Sequence, residues 1–234
     1  MSVEGVIKSV YRVTVPYWAR EKKGNYFRDK RLIQEGFVKN KAIFVHIPKA
    51  AGSSVAVSLY GHDKPGHIRA KNYIEKLGNK KIEYLIFSFV REPIDRFLSA
   101  YAYLKAGGKN KSDLAFRDNV LVDYSDVNDF VALWLNEKTM WEYVHFIPQT
   151  YYLYDDDDFL LVDFIGRYEN LEEDFKRLAL IIGRGGLSLP HANKTKQKNL
   201  ETLNENSMRK LRELYKRDIK LLGYSEHENF NYNK

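Results

Sequence analysis

Cysteine is absent from the 234 residues of this chain, and that absence removes whole classes of protein. Without thiols there is no disulfide framework, no thiolate metal site, no iron–sulfur cluster and no cysteine nucleophile. A chain without disulfides suits a reducing compartment. The composition that remains, with 44% hydrophobic and 29% charged residues, is that of a globular domain rather than a disordered or fibrous chain.

Long apolar runs are missing as well. No stretch approaches the ~18 consecutive apolar residues that a membrane-spanning helix needs. The amino-terminal segment, Met1 to Gly24, lacks a long apolar core and a small-residue cleavage site, so no signal peptide is predicted. We therefore expect no membrane span.

Positive charge is in excess, because 38 lysine and arginine residues stand against 31 aspartate and glutamate residues and give a net charge of +7. Such an excess favours an anionic ligand: a nucleotide, a sulfated or carboxylated glycan, nucleic acid or an acidic lipid. Solubility alone is the alternative explanation. Composition alone does not distinguish an anionic ligand from solubility, so a sequence motif is needed to choose between them.

Three short apolar runs rich in branched and aromatic residues predict buried strands at 42–47, 84–90 and 159–165. Because none of them alternates polar with apolar residues, a parallel sheet covered on both faces is expected. Helical patterns lie between and after these runs, with starts at Ser54, Pro93, Asn170 and Met208. Asn170 is predicted to be an N-cap, with Glu173 as its capping partner. This order is the α/β pattern, and we predict one domain over 41–234 with residues 1–40 as an arm packed on it.

The loop after the first predicted strand carries the run His46-Ile47-Pro48-Lys49-Ala50-Ala51-Gly52-Ser53-Ser54. Small residues let the backbone approach an anion, the free N–H groups and the dipole of the helix that follows attract negative charge, and Lys49 adds a full positive charge. The loop predicts an anion cradle in which Ser53 and Ser54 add hydroxyl donors. An ordinary strand-to-helix turn with a serine N-cap is the alternative. A Walker A loop is excluded, since no Gly-Lys-Ser/Thr occurs in the chain.

The second predicted strand runs into Arg91, at the start of Arg91-Glu92-Pro93-Ile94-Asp95-Arg96-Phe97-Leu98-Ser99. Ligands of open α/β sheets bind at the carboxyl edge of the strands, so Arg91 is placed to clasp a phosphate with two hydrogen bonds. Ser99 lies on the following helix and donates to the same anion if that helix leans toward the strand end. The alternative is an arginine at a helix start that pairs with Glu92 or Asp95.

Together, in this order and each after a predicted strand, the two motifs resemble those of sulfotransferases that use 3′-phosphoadenosine 5′-phosphosulfate (PAPS). The sequence is most similar to the branch that includes heparan-sulfate 2-O-sulfotransferases and small bacterial relatives. Weaker similarity covers residues 42–224. The chain departs from the family pattern at Ala50, where the family often has threonine, and its amino-terminal arm matches no segment of the family.

The resemblance implies a P-loop-NTPase-like α/β domain of three layers, with a central, mostly parallel sheet flanked by helices. It implies that the first motif binds the 5′-phosphosulfate of PAPS, that the second binds its 3′-phosphate and that no metal is required. It further implies in-line transfer of the sulfuryl group to an acceptor hydroxyl, with Lys49 stabilising charge on the bridging oxygen. The cofactor-binding residues that it carries over are Lys49, Ala51, Gly52, Ser53, Ser54, Arg91, Ser99, Arg167 and Lys194.

A general base has to take the proton of the acceptor, and a histidine with a pKa near neutrality suits that role. The family's base lies between the two PAPS motifs and before a helical segment, a position that His67 matches. We predict His67 as the base, with His62 as the alternative. His46 ends the first predicted strand and is expected to be structural.

Later segments add weaker candidates. Arg167 follows the third predicted strand and either reaches the nucleotide or pairs with Glu169 or Glu173. Lys194 belongs to a polar loop of the kind that folds over the cofactor in this family, and a solvated run of charge is the alternative. The run of aspartates at 155–158 lacks the spacing and the glycine of a calcium loop, so we predict a solvated turn and no metal site.

We therefore expect a PAPS-dependent sulfotransferase that acts on a carbohydrate hydroxyl, with neither nucleic acid nor a membrane as partner. Because eukaryotic glycan-modifying members carry a membrane anchor and none is evident here, a cytoplasmic location is expected. One alternative is a nucleotide-dependent phosphotransferase on a related scaffold, which the missing Gly-Lys-Ser/Thr disfavours. The other is a non-catalytic basic module that binds nucleic acid through its lysines, arginines and tyrosines.

Overall fold

A parallel sheet is the centre of the fold in the computed structural model, which describes residues 32–62, 66–190 and 201–224. Its strands are β1 (Ala42–Val45), β2 (Leu85–Val90) and β3 (Phe164–Arg167), and they lie side by side in the order β1-β2-β3. Val45 pairs with Ser88, and Val90 pairs with Arg167. Because all three strands run the same way, their carboxyl ends meet at one edge of the sheet.

Helices flank the sheet. The α-helices of four or more residues are α1 (Glu35–Asn40), α2 (Gly52–Tyr60), α3 (Ala70–Leu77), α4 (Pro93–Lys105), α5 (Lys111–Asn119), α6 (Thr150–Leu153), α7 (Leu171–Ile181), α8 (Glu205–Leu214) and α9 (Lys216–Leu221). Further short helical segments lie at Gly78–Glu83, Leu121–Asp123, Val127–Asp129, Phe130–Trp134, Thr139–Trp141 and Tyr168–Asn170. Helices around a parallel sheet confirm the predicted α/β fold class.

The burial of the strands explains why they could be recognised as apolar runs. Every residue of β1 is buried, and so is every residue of β2 except Leu85. Gly166 of β3 lies against the ring of Phe89, which would be 2.3 Å from an added Cβ atom. A strand covered on both faces has no polar side to show to solvent, which is why the sequence does not alternate.

Helix α4 begins where the sequence predicts. Pro93 occupies the first turn, and the carboxylate of Glu92 accepts a hydrogen bond of 2.6 Å from the backbone N–H of Asp95. Proline suits this position because its fixed φ is already helical and its missing N–H has no intrahelical acceptor there. Gly107, with φ +90°, follows the end of the helix.

Two hydrophobic clusters hold these elements together. One lies around the sheet and includes Phe44 and Phe87, while the other surrounds α4 and includes Phe97 and Phe130. Trp141 is half-buried and packs against both clusters. Each buried aromatic side chain of this kind contributes roughly 2–3 kcal/mol of transfer free energy.

Three expectations about secondary structure are wrong. The third strand begins at Phe164 rather than at 159, because Leu160 pairs in antiparallel fashion with Tyr154 outside the sheet. Asn170 does not cap α7 with its side chain, since a 3₁₀ turn leads directly into that helix. The last helical pattern is divided at Tyr215 into α8 and α9.

Of the predicted arm, residues 1–31 lie outside the described residues. The remainder includes α1, whose Phe37 is buried with its ring centroid 5.1 Å from that of Tyr60 and 5.8 Å from that of Tyr73. Within the described ranges, no helix is both long enough and apolar enough to cross a bilayer.

Candidate active site

The loop between β1 and α2 has the backbone of an anion cradle. Lys49 and Ala51 adopt left-handed conformations, with φ of 68° and 62°. Ala51 is the N-cap of α2, and among the described residues no side chain caps this helix start. The alternative of a serine N-cap is therefore wrong. The first N–H groups of a helix have no intrahelical acceptor, so those of Gly52, Ser53 and Ser54 are suited to an external anion.

The ring of His46 lies so close to Gly52 that no side chain fits at this position. A Cβ atom added to Gly52 would lie 1.8 Å from Cδ2 and Nε2 of His46. The Nδ1 atom of His46 is shielded from solvent and has no hydrogen-bond partner among the described residues. Burial is the main cause that holds the pKa of His46 well below its ordinary value, and the nearby His67 and His145 lower that pKa further. His46 is therefore a neutral packing residue at the foot of the cradle, as the sequence predicts.

The side chain of Lys49 lies over an aromatic ring. Its Nζ atom is 4.1 Å from the centroid of the Tyr103 ring, within the range of a cation–π interaction. Burial, together with the positive charges of Arg91 and Lys109, lowers the pKa of Lys49 to about 8, while Asp113 opposes that shift. Lys49 is thus a cation that an incoming anion would stabilise.

Arg91 connects the two predicted motifs. Its Nη1 atom donates to the carbonyl oxygen of Lys49 at 3.3 Å, and its Nε atom donates to Oδ2 of Asp95 at 2.6 Å. The guanidinium lies 4.1 Å from the centroid of the Tyr168 ring, and the residue is only 5% exposed. The pairing with Asp95 that the sequence left open is therefore present, and it orients the guanidinium fork beside the cradle.

Gln149 holds the backbone of Arg91 on both sides. Its Oε1 atom accepts from the N–H of Arg91 at 3.0 Å, and its Nε2 atom donates to the carbonyl oxygen of Arg91 at 2.7 Å. Gln149 is in turn fixed by Asp218 of α9, whose carboxylate accepts the N–H groups of Gln149 and Thr150 at 2.7 and 2.8 Å. All of these groups are buried. No sequence motif pointed to Asp218, which lies in the last predicted helical region.

Ser99 shares a face of α4 with two residues of the site. Asp95, Ser99 and Tyr103 are spaced four residues apart, so their side chains project from the same side of the helix. Asp95 contacts Arg91 and Tyr103 contacts Lys49, so half-buried Ser99 lies between the two contacts along the helix. This places Ser99 on the side of α4 that the prediction requires.

Arg167 lies at the same edge of the sheet, but its side chain contacts the residues that follow α9. Its Nη2 atom donates to the carbonyl oxygen of Leu222 at 2.6 Å, and its guanidinium lies 4.5 Å from the centroid of the Tyr224 ring. The described residues contain no ion pair between Arg167 and Glu169, which instead accepts the backbone N–H of Glu92 at 2.7 Å. Lys194, the other late candidate, lies outside the described residues.

His67, the predicted base, lies beside the cradle. Its Nδ1 atom is 3.0 Å from the carbonyl oxygen of His46, and the ring centroids of these two histidines are 4.5 Å apart. A carbonyl oxygen only accepts, so Nδ1 carries the proton and Nε2 is the basic nitrogen of the neutral ring. His62, the alternative base, is exposed, with its ring centroid 6.2 Å from that of Tyr60.

A buried cluster centred on Asp113 supports the site from the side of α5. The hydroxyl groups of Tyr103 and Tyr143 each donate to its carboxylate at 2.7 Å, and Nε2 of His145 lies 3.5 Å from Oδ1. Burial would raise the pKa of Asp113, but these contacts outweigh it and hold that pKa below its ordinary value. Burial lowers the pKa of His145. The ring of Tyr103 thus reaches Lys49 on one side and Asp113 on the other.

Neither Asp113 nor His145 was predicted from the sequence, because only side chains join them and no short motif contains both. The ring centroid of His145 lies 6.5 Å from that of His67, which in turn lies 4.5 Å from that of His46. The three histidine rings therefore form a row from the loop between β1 and α2 to the cluster around Asp113. In the part of the chain that the structure describes, no group of three or more histidine, aspartate or glutamate side chains is arranged to hold a metal ion.

The fold and these contacts define an α/β protein with a cationic site at the carboxyl edge of its parallel sheet. The chain belongs to the sulfotransferase family, whose profile it matches over residues 37–225. It is also 34% identical, over 111 residues, to an uncharacterized protein of Archaeoglobus fulgidus. That match covers 46% of this chain and 76% of the relative. No solved structure matches the chain.

Proposed function

We propose that this protein transfers a sulfuryl group from PAPS to a hydroxyl group of a carbohydrate acceptor. Membership of the sulfotransferase family supports sulfotransfer. The proposal for the donor rests on one contact above all, the hydrogen bond between Arg91 and the carbonyl oxygen of Lys49. This contact brings together the two motifs that would hold the two charged ends of one nucleotide.

The residues present suit a nucleotide with phosphate groups at both its 3′ and 5′ positions. The helix-start N–H groups of Gly52, Ser53 and Ser54, with Lys49, would take the 5′-phosphosulfate. Arg91, with Ser99 on the neighbouring face of α4, would take the 3′-phosphate, because the planar guanidinium matches two phosphate oxygens at once. Arg167 and Lys194 stay in the proposal as outer contacts to the nucleotide.

His67 is the proposed general base. The acceptor oxygen forms a bond to sulfur while the bond from sulfur to the bridging phosphate oxygen breaks, and the electron pair of that bond leaves with adenosine 3′,5′-bisphosphate (PAP). The hydroxyl proton passes to Nε2 of His67, which the hydrogen bond from Nδ1 to His46 leaves as the basic nitrogen. Proton removal of this kind contributes about 10²–10⁴-fold to the rate.

Lys49 is proposed to stabilise the charge that grows on the bridging oxygen. A cation held in a half-buried position interacts more strongly with developing charge than one in water does. Its low pKa, about 8, means that an anion beside it raises the protonated fraction at neutral pH. The ring of Tyr103 holds the ammonium group near the loop before the anion arrives.

Calorimetry with PAP and transfer of radiolabelled sulfate from PAPS test the proposal together. We expect PAP to bind without a metal and with higher affinity than Mg²⁺-ATP, and labelled sulfate to appear on carbohydrate. Binding of Mg²⁺-ATP but not PAP would support a phosphotransferase instead. Salt-dependent binding of single-stranded DNA without any heat from PAP would support the nucleic-acid module.

A further inference from the structure

A cavity of about 460 Å³ lies beside the residues that precede α3 and follow α6. Its walls are formed by two aromatic residues, two arginines and three of the aspartates in the run 155–158; these are Arg69, Trp141, Tyr151, Asp155, Asp156, Asp158 and Arg217. None of these residues belongs to the proposed nucleotide site. A cavity of this size is large enough for a small sugar.

One residue that lines the cavity is close in the chain to the proposed base. Arg69 is two residues after His67, so their Cα atoms are at most about 7 Å apart. The Nε atom of Arg69 donates to the carbonyl oxygen of Tyr151 at 2.9 Å, and its guanidinium lies 4.2 Å from the centroid of the Tyr151 ring. Tyr151 follows Gln149 and Thr150, and Gln149 holds the backbone of Arg91. Two residues that line the cavity, Arg69 and Tyr151, are therefore each two positions along the chain from a residue of the proposed site, His67 and Gln149 respectively.

The chemistry of the walls suits a molecule rich in hydroxyl groups. The rings of Trp141 and Tyr151 meet edge to face, with their centroids 5.2 Å apart, and offer apolar surface to the C–H groups of a sugar ring. The carboxylate of Asp156 is 81% exposed and lies 3.9 Å from Nη2 of Arg69, too far for a close ion pair. Carboxylates accept hydrogen bonds from the hydroxyl groups of a sugar, and guanidinium groups donate hydrogen bonds to the oxygen atoms of the same hydroxyl groups.

The charge of the walls does not suit a polyanion. Three carboxylates stand against two guanidinium groups among the lining residues. A further cation, Nζ of Lys71, lies 3.6 Å from Asp156, and Arg217 is paired with Asp158 at 2.6 Å. A cleft that attracts a polyanion presents a surplus of positive charge, and the described residues that line this one present none.

We infer that this cavity is the acceptor site and that it takes an uncharged or amino-bearing saccharide rather than a glycan rich in uronic acid or sulfate. The inference rests on the proposed function, because the acceptor hydroxyl has to reach Nε2 of His67. It assigns Trp141 and Tyr151 to the sugar ring, Asp156 to its hydroxyl or amino groups, and Arg69 and Arg217 to its hydroxyl groups.

The first experiment compares acceptor classes. Enzyme saturated with radiolabelled PAPS is incubated with a neutral oligosaccharide from dextran, an amino-sugar oligosaccharide from chitosan and a uronic-acid polymer from chondroitin. We expect label on the first or second and none on the third. Label on chondroitin alone, or on no saccharide while calorimetry still shows PAP binding, would overturn the acceptor class and leave the nucleotide site standing. An absence of PAP binding would instead overturn the proposed function.

The second experiment uses the sign of a change in KM. Asp156→Asn keeps the shape of an exposed side chain and removes its charge. For an uncharged or amino-bearing acceptor, KM rises by about fivefold, because a charge-assisted hydrogen bond becomes one to a neutral amide oxygen, with the affinity for PAP unchanged. For an anionic acceptor, KM falls because a repelling charge has gone.

Two further variants complete the test. Trp141→Phe keeps an aromatic ring in both hydrophobic clusters but shortens the surface offered to the sugar, and a KM increase with an unchanged affinity for PAP is expected. Asp118→Asn is the matched control, because Asp118 is a half-exposed aspartate of α5 that is paired with Arg117 at 2.8 Å and does not line the cavity. A KM that responds equally to Asp118→Asn and Asp156→Asn would overturn the assignment.

Discussion

The guanidinium of Arg91 donates a hydrogen bond to the carbonyl oxygen of Lys49, 3.3 Å away, and so connects the residues that follow two neighbouring strands. The same guanidinium is held by Asp95 and covered by Tyr168. Because strands β1 and β2 are parallel, the loop of one and the arginine of the other had to lie at the same edge. The proposed nucleotide site depends on this contact.

Arg91→Ala is expected to weaken PAP binding by about 10- to 100-fold, the loss of charge-assisted hydrogen bonds to a phosphate. Adenosine 5′-phosphosulfate lacks the 3′-phosphate, so its binding should change much less. Calorimetry with both nucleotides makes the comparison. The control is Arg177→Ala, because Arg177 is exposed on α7 and pairs with Asp174 at 3.1 Å. Equal losses for the two nucleotides would contradict the assignment of Arg91 to the 3′-phosphate.

Lys49 gives a prediction about pH. Burial lowers the pKa of Lys49 to about 8, and the protonated form carries the charge that the reaction needs. In the free enzyme kcat/KM should therefore fall by about tenfold per pH unit above this pKa, where Lys49 loses its proton. Lys49→Arg keeps its proton over the same range, so the residual activity of that variant should lose the alkaline limb. A limb unchanged in Lys49→Arg would assign the titration to another group.

The role of Lys49 in the chemical step is tested by Lys49→Ala at saturating PAPS. A group that stabilises the transition state more than the bound nucleotide lowers kcat when it is removed, by about 10²–10³-fold for a buried charge. Rapid-quench measurement of a single turnover separates chemistry from product release. A defect confined to KM would mean that Lys49 contributes to binding alone.

His67→Ala is expected to lower kcat by about 10²–10⁴-fold while the affinity for PAP stays within a factor of about two, because a general base is not a nucleotide contact. His62→Ala is the matched control, since His62 is exposed and lies on the same connection between α2 and α3. Steady-state kinetics and PAP calorimetry on both variants give the answer. Loss of turnover in His62→Ala with none in His67→Ala would exchange the two roles.

Asp113 gives a prediction about stability. Its side chain is 2% exposed, and the hydrogen bonds from His145, Tyr143 and Tyr103 outweigh burial and keep its pKa below the ordinary value of an aspartate. A depressed carboxyl pKa stabilises the fold at pH values above the pKa of the unfolded chain, and this contribution is lost as the pH falls through the folded pKa. Asp113→Asn should therefore lower the free energy of unfolding by about 2 kcal/mol at neutral pH and by less in acid.

Urea unfolding of the Asp113→Asn variant at several pH values measures this difference. Asp118→Asn, on the exposed side of the same helix, should change the free energy of unfolding by less than about 0.5 kcal/mol. A stability deficit of Asp113→Asn that is the same at neutral and acid pH would show that shape rather than charge holds the cluster together.

Gly52→Ala tests the packing at the foot of the cradle. The added Cβ atom would lie 1.8 Å from the ring of His46, so the ring or the helix start has to shift. Overpacking of this kind costs about 1–3 kcal/mol, and the shift would also disturb His67, which rests on His46. The temperature of thermal unfolding and the affinity for PAP should therefore both fall. Gly186→Ala, where nothing lies within 4 Å of the added atom, should change neither.

The sequence predicts β1 and β2 well because both are short, apolar and buried on both faces. It also predicts that Lys49 and Arg91 lie together, since the carboxyl ends of adjacent parallel strands share an edge. The prediction of a third strand at 159–165 is wrong because that apolar run does not form a single element. Phe159 is in fact 69% exposed, and its N–H donates to the Asp155 side chain at 2.8 Å in a turn, so only residues from Phe164 onward join the sheet.

The cluster around Asp113 and the cavity beside His67 could not be predicted in this way. Asp113 and His145 come from segments that no short motif spans, and their contact depends on how α5 packs against the segment between Trp141 and Thr150. The aspartate run at 155–158 was expected to be a solvated turn, and it does form a turn. Only the fold shows that this turn faces Arg217, which pairs with Asp158.

All three strands run in one direction, so the residues of the proposed site collect at one edge of the sheet, and the opposite edge is left with surface ion pairs such as Lys41–Glu83 and Lys81–Asp163. Ile82, 89% exposed, lies in the turn before β2 at that far edge. Because the chain holds no native thiol, Ile82→Cys would provide a unique attachment point for a fluorophore or a solid support, remote from the chemistry.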